Sequence, residues 1–286
     1  MADAIEIKNL TKSYGGFTLD NISLSLPEGS ILGLVGENGA GKSTTIRLIM
    51  NAVKRDGGSV SVLGTDNEAP EFNDIKQDIG AVPDEAYFPE VITAKNVGLI
   101  MKHTYKKWDD GLFCSYLREF DLPEKKQFKD FSRGMKMKLA IAAALSHKPR
   151  LLILDEATSG LDPMVRDEIL DIFEGLAREE GCSILLSSHI VSDLEKICDR
   201  IAFIHRGKLV FCEEKKRLLE EYAIIALSAE ELAVLPDGAA VGTVEEGGGV
   251  RTLVRSSLVS RELIREHTSL EDIIVFLAKA EGKGNK

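Results

Sequence analysis

The chain has no apolar run approaching the roughly 18 to 20 residues needed to cross a bilayer. It is therefore not expected to span a membrane by itself. Met1 to Lys12 lacks the apolar core of a signal peptide. Cysteine is scarce: Cys114, Cys182, Cys198 and Cys212 are scattered without CxxC spacing, which argues against zinc or a disulfide framework and for free thiols in a reducing compartment, the cytosol. Positive charge is short as well. Lys and Arg total 36 against 46 Asp and Glu, and a net charge of -10 disfavours a nucleic-acid coat over the whole surface while leaving room for a local basic site. No internal repeat is visible, and only the final EGKGNK reads as a disordered end. What is present is length and apolar content: 286 residues, 44% apolar, support one large core or a core with an appendage.

From Ala4 to about Pro27, apolar and polar residues alternate around SYGG, which predicts short antiparallel strands and a turn. SILGLVG is an apolar strand that runs into GENGAGKST and then into the helical TTIRLIMNAV. GGSVSVLG reads as a further hairpin element, and after DIGAVPDE the text becomes helix-rich from about Thr93 to Lys126. LLILDEA and SILLSSH are two more short apolar strands, each followed by a helical pattern, as a parallel doubly wound sheet requires. The fold class is therefore α/β. After about Arg217 the composition shifts to strands about a glycine turn and then to the amphipathic SLEDIIVFLAKAEG, read as a small appended α+β domain.

Gly36 to Ser43 match GxxxxGK[S/T] between a strand and a helix, the context that motif needs. In such a loop, backbone N–H groups close around phosphates, Lys42 reaches the terminal phosphates and Ser43 ligates magnesium. LLILDE ends a buried strand on two acids. Asp155 would hold magnesium and Glu156 would polarise an attacking water. His189 closes the strand SILLSS in the same way and would contact a γ-phosphate. Ser132, Arg133 and Gly134 stand before a basic amphipathic helix with no pocket beside them in sequence. Taken alone they read as an N-capped helix with solvated Lys136 and Lys138.

In this order and spacing, GENGAGKST, FSRGM, LLILDE, SGLD and a His after the next strand resemble the ATP-binding subunit of an ABC transporter, over roughly Ile5 to Arg217. The resemblance implies a P-loop ABC cassette over residues 1–217: a parallel-sheet core, an antiparallel β subdomain and a helical subdomain at about 85–148, followed by a C-terminal extension at 218–286. It implies ATP and Mg2+ as cofactors, with Gly36, Glu37, Asn38, Gly39, Ala40, Gly41, Lys42, Ser43 and Thr44 around the nucleotide. Glu156, His189 and Lys42 would be catalytic. Tyr14 would stack on adenine, although by itself it reads equally as a half-buried turn aromatic. It further implies a homodimer or heterodimer with a second cassette, in which Ser132, Arg133 and Gly134 cap the partner's nucleotide and Asp162, also a candidate N-cap before Pro163, runs along the seam. A separate integral membrane permease would dock near Ala86 to Lys107, placing the chain in the cytoplasm against the inner face of the membrane, with no nucleic acid as partner. Tyr87, Phe88, Tyr105 and Trp108 in and beside that segment read as core aromatics as readily as interface ones.

Two departures stand out. LSGGQ is the family pattern, whereas here Phe131, Arg133 and Met135 replace Leu, Gly and Gln. Asp84 occupies the position after VP where the family usually has Gln; an acid there can still touch magnesium or the lytic water. The combination, with the SLEDIIVFL ending, resembles ATPase subunits of bacterial exporter-like and ABC-2-type systems. Alternative readings are a soluble ABC ATPase, disfavoured by a single Walker A motif and no sustained heptads, and a nucleotide-gated module with weakened hydrolysis, disfavoured by Lys42, Asp155, Glu156 and His189. A switch GTPase would need an NKxD motif, which is absent.

Overall fold

The computed structural model describes residues 2–85, 88–246, 249–264 and 267–283. In chain order its strands and helices are β1 (Asp3–Tyr14), β2 (Phe17–Pro27), β3 (Ile31–Val35), α1 (Lys42–Ile49), β4 (Gly57–Val62), β5 (Thr65–Asp66), α2 (Phe72–Ile75), β6 (Ile79–Val82), α3 (Ala94–Thr104), α4 (Asp110–Glu119), α5 (Arg133–Leu145), β7 (Leu151–Asp155) and α6 (Pro163–Glu180). There follow β8 (Ser183–Ser188), α7 (Val191–Ile197), β9 (Arg200–His205), β10 (Lys208–Glu214), α8 (Lys215–Glu221), β11 (Tyr222–Leu227), α9 (Ala229–Ala233), β12 (Ala240–Glu246), β13 (Gly249–Arg255) and α10 (Leu270–Lys283).

The central sheet has the order β10-β9-β3-β8-β7-β6, parallel except at the β10 edge. Its strands are apolar on both faces because both faces are covered. Along β7, Leu151 and Ile153 join one core and Leu152 and Leu154 the other. The parallel pairing brings the carboxyl ends of β3, β6, β7 and β8 to one edge, where an α/β sheet binds its ligands.

A second sheet, β2-β1-β4-β5, is antiparallel and shares its core with α1. The two first strands are long, at 12 and 11 residues, rather than the short ones the alternation suggests. Register shifts between Ile7 and Leu10 and between Leu10 and Lys12 let the pairing continue across residues that break the alternation, and Asn9 and Asn21 supply the positive φ there.

The helical text after Thr93 forms α3 and α4, with Thr93 and Asn96 in a reciprocal capping box. The aromatics of that region are packed: Phe88 meets Phe128 edge-on, Tyr105 stacks on the buried His147 at 3.8 Å, and Trp108 leans on Phe113. Ala86 and Tyr87 lie outside the described residues.

Beyond α8, β11-β13-β12 form a third, antiparallel sheet. The expected glycine turn falls between β12 and β13, and its Gly247 and Gly248 are outside the described residues. The apolar side chains of this sheet divide between two cores. Ala223, Ile225, Leu227 and Val254 form a small cluster of their own, while Ile224 and Leu253 join Leu270, Ile273 and Phe276 of α10 and Leu194 and Ile197 of α7 in the main core. Helix α10 continues to Lys283, so Glu281 to Lys283, expected in the disordered end, are helical.

Candidate functional site

The phosphate-loop residues lie between β3 and α1. Two glycines there have steric reasons. A Cβ on Gly36 would stand 2.3 Å from the Ile204 carbonyl oxygen, and Gly41, the N-cap of α1, adopts φ 120 with Phe17 and Leu19 pressed against it. Gly41 offers no side-chain cap, so the first N–H groups of α1 lack the usual partner and face the cleft at the positive end of the helix. That cleft, of roughly 430 Å³, is lined by Phe17, Glu37, Asn38, Gly39, Gly41, Lys42, Ser43, Thr44, Asp84 and Glu156.

Lys42 is only 5% exposed, and its ammonium has several oxygens around it. It donates to the Gly36 carbonyl at 2.7 Å and lies 3.2 Å from Glu156 Oε1. The other Glu156 oxygen, Oε2, is 2.6 Å from His189 Nδ1. A carboxylate only accepts, so that contact fixes the imidazole proton on Nδ1 and leaves Nε2 to turn elsewhere. Glu156 itself adopts φ 52, a left-handed conformation rare for a side chain of its size, just after its N–H donates to the Ser187 carbonyl at 3.0 Å. Strand β7 thus ends in a strained corner that lifts Glu156 out of the sheet edge, between α1 and β8.

Asp155 stays in the sheet, 5% exposed, and its Oδ1 has no hydrogen-bond partner. Burial pushes its carboxyl above 3.8; the neighbouring Ser43 and Ser187 hydroxyls pull it back in part, while the charges of Asp84 and Glu156 add to the rise. A buried oxygen without a partner, with the Ser43 hydroxyl alongside, fits a divalent cation. Among the described residues no group of three or more His, Cys, Asp or Glu side chains forms a metal cage. An ion here would therefore depend on Ser43, Asp155, water and phosphate oxygens. Asp84 lines the same cleft and accepts from the Glu85 N–H at 3.0 Å.

The structure brings together Gly39, Gly41, Lys42, Ser43, Thr44, Asp155, Glu156 and His189. It does not bring in Tyr14 by the same measure. Tyr14 is 45% exposed at the end of β1, with the Lys12 ammonium 5.7 Å from its ring centre, whereas its hairpin partner Phe17 lines the cleft. Phe17 escaped the sequence reading. Its only signal is that it follows the SYGG turn and pairs directly opposite Tyr14.

Ser132, Arg133 and Gly134 are not among the described residues lining this cleft. Ser132 caps α5 by accepting from the Met135 N–H at 3.2 Å, and Gly134 faces Leu161. Asp162 likewise caps α6, accepting from the Val165 N–H at 3.1 Å, with Pro163 at the first helical position.

Comparison with known proteins accords with this geometry. The ABC transporter family model matches residues 19–159. The ABC transporter ATP-binding protein YtrB of Bacillus subtilis (strain 168) is 32% identical over 225 residues, covering 78% of this chain and 76% of that protein. The bacitracin transport ATP-binding protein BcrA of Bacillus licheniformis is 36% identical over 245 residues, covering 82% and 78%. Among solved structures, an ATP-binding subunit of an ABC transporter superposes with a TM-score of 0.69 at 27% identity, covering 75% of this chain and 91% of that one. A dimeric ATP-binding cassette in a post-hydrolysis state, bound to ADP and Pi, superposes with a TM-score of 0.66 at 25% identity, covering 73% and 98%. Given these relatives and the phosphate loop, Asp155, Glu156 and His189 gathered at one sheet edge, the chain belongs to the ABC transporter family, as one of its ATP-binding subunits.

Proposed function

We propose that the cleft between β3, β7 and α1 hydrolyses ATP as half of a head-to-tail pair of cassettes, and that the pair drives a separate membrane permease. The observation that carries this reading is the Lys42–Glu156–His189 chain of contacts. A γ-phosphate entering the loop is a dianionic partner for Lys42 and competes with Glu156 for that ammonium. Once freed, Glu156 orients a water in line with the bond to be broken, while His189 and the first N–H groups of α1 hold the phosphate oxygens. Proximity and fixed dipoles account for the rate.

Ser43 and Asp155 would hold magnesium, which would supply charge neutralisation at the phosphates; Asp84, on the cleft wall, would act on the ion or the attacking water. Tyr14, at the hairpin tip beside Phe17, would stack on the adenine. Gly36, Glu37, Asn38, Gly39, Ala40, Gly41 and Thr44 supply the backbone cradle. Ser132 and Gly134 cap the nucleotide of the facing cassette and Asp162 lies along the seam. Support comes from their absence from this chain's own cleft and from the dimeric state of a similar cassette.

The cassette spans residues 1–217, with a helical part at about 85–148 and an extension at 218–286. Permease docking falls on the helical part. An apolar hollow of about 190 Å³, lined by Ala81, Pro83, Phe88, Met101, Tyr105 and the alanines of α5, supports this placement, as does the exposure of Leu99 and Ile100 on α3. No helix among the described residues is long and apolar enough to cross a membrane. The chain would work in the cytoplasm against the membrane surface. A bacterial exporter-like system of the ABC-2 type is proposed; two similar proteins are named for bacitracin transport and lantibiotic transport.

A steady-state ATPase assay on the purified chain with Mg2+ tests the reading. Turnover that disappears in Lys42→Ala supports it; turnover that persists there places hydrolysis elsewhere.

A further inference from the structure

The loop that follows Glu156 is held from several sides, and one of the holding groups is the arginine that departs from the family pattern. A Cβ on Gly160 would lie 3.2 Å from Arg133 Nε and 3.3 Å from its Cδ and Cζ, so the flat end of Arg133 lies across the Gly160 backbone. Gly160 sits at φ +76, where a larger residue would be strained as well as crowded. On the inner side, the Thr158 hydroxyl donates to the buried Asp193 carboxylate at 2.8 Å, tying the loop to the helix that follows His189. The Ser159 N–H donates to the Glu156 carbonyl at 3.0 Å, and the Leu161 carbonyl accepts from Arg166 at 3.3 Å.

We infer that Arg133 is a positioning residue for the Glu156 of its own chain: its guanidinium clamps the loop Ala157–Asp162 from outside while Asp193 anchors it from within. The inference rests on the assignment of Glu156 above. It departs from the expectation that the charge at position 133 acts across the seam on the partner's phosphate. The chemistry favours a clamp because a guanidinium is planar and weakly hydrated and lies flat on a peptide, which an ammonium does not. The loop needs one. It continues a residue already in a left-handed conformation, and its geometry decides where the Glu156 carboxylate points.

Hydrogen exchange of the chain alone, without nucleotide, is the first test. Arg133→Ala is expected to speed exchange in peptides covering residues 157–162 by about tenfold, with the phosphate loop and α5 unchanged. Unchanged exchange in that loop overturns the clamp. The second test compares Arg133→Gln, flat but neutral, with Arg133→Lys, charged but not flat. The clamp predicts that the Gln variant keeps the higher kcat and that KM for ATP stays within about twofold in both. A Lys variant that matches wild type, or a KM that rises while kcat holds, moves position 133 to the phosphate and overturns the clamp. Failure of the underlying assignment reads differently: exchange rises in Arg133→Ala, yet Glu156→Gln still turns over at the wild-type rate.

Discussion

The Lys42 ammonium lies 3.2 Å from Glu156 Oε1, so the residue proposed to grip phosphate and the residue proposed to orient water hold each other. His189 completes the arrangement from the other carboxylate oxygen. Replacing Glu156 by Gln keeps the shape and removes the charge. The expected outcome is ATP binding within a few fold of wild type and turnover lower by about two to three orders of magnitude. Single-turnover hydrolysis together with nucleotide titration checks both halves; hydrolysis at the wild-type rate would remove Glu156 from the chemistry.

Asp155 is expected to trade stability for function. Its raised carboxyl pKa means that the folded chain holds the proton more tightly than the unfolded one. Its stabilising contribution is complete below about 3.8 and is lost as pH rises through the higher folded value. Near neutral pH the ion sits buried with an unpartnered oxygen. Asp155→Asn is therefore expected to raise the melting temperature at neutral pH by roughly 2–4 °C in the absence of magnesium, while abolishing magnesium-dependent hydrolysis. Thermal melts across pH decide it, and a lower melting temperature for the Asn variant would contradict the account.

Thr158 and Asp193 form a buried pair whose loss is one-sided. Thr158→Val leaves the carboxylate without its 2.8 Å donor and is expected to cost about 1–3 kcal/mol of stability. Urea unfolding measures it. Since burial raises the Asp193 carboxyl, with Thr158 pulling it down, the cost should shrink in acid, where the carboxyl takes up a proton and can itself donate.

Tyr14→Ala is expected to weaken ADP binding by about 1–3 kcal/mol, the worth of a base on an aromatic face. Calorimetry on that variant and on Phe17→Ala separates the two rings. Unchanged affinity for Tyr14→Ala with a loss for Phe17→Ala would give the platform to Phe17.

Much of this site is legible because its parts are local. A glycine-rich loop between a strand and a helix, a lysine at the helix start and two acids at a strand end are each readable within a few residues of chain, although the Ile204 carbonyl that crowds Gly36 is not. What resists reading depends on partners far away in sequence. Arg133 reads as a phosphate contact until Gly160, on another loop, is seen beneath it. Phe17 reaches the cleft because the hairpin brings its ring against Gly41 at the start of α1, and the length of β1 and β2 depends on bulges near Asn9 and Asn21 that interrupt the alternation. The C-terminal residues look separate by composition. Yet α10 shares a core with α7, since the amphipathic SLEDIIVFL does not disclose which surface it covers.

The claim on which the rest depends is that one chain holds only half of each closed site. Light scattering on Glu156→Gln, with and without Mg-ATP, tests it most directly. The account predicts 31.3 kDa without nucleotide and twice that mass with it. A mass that stays at one chain while wild type hydrolyses ATP under the same conditions would contradict it.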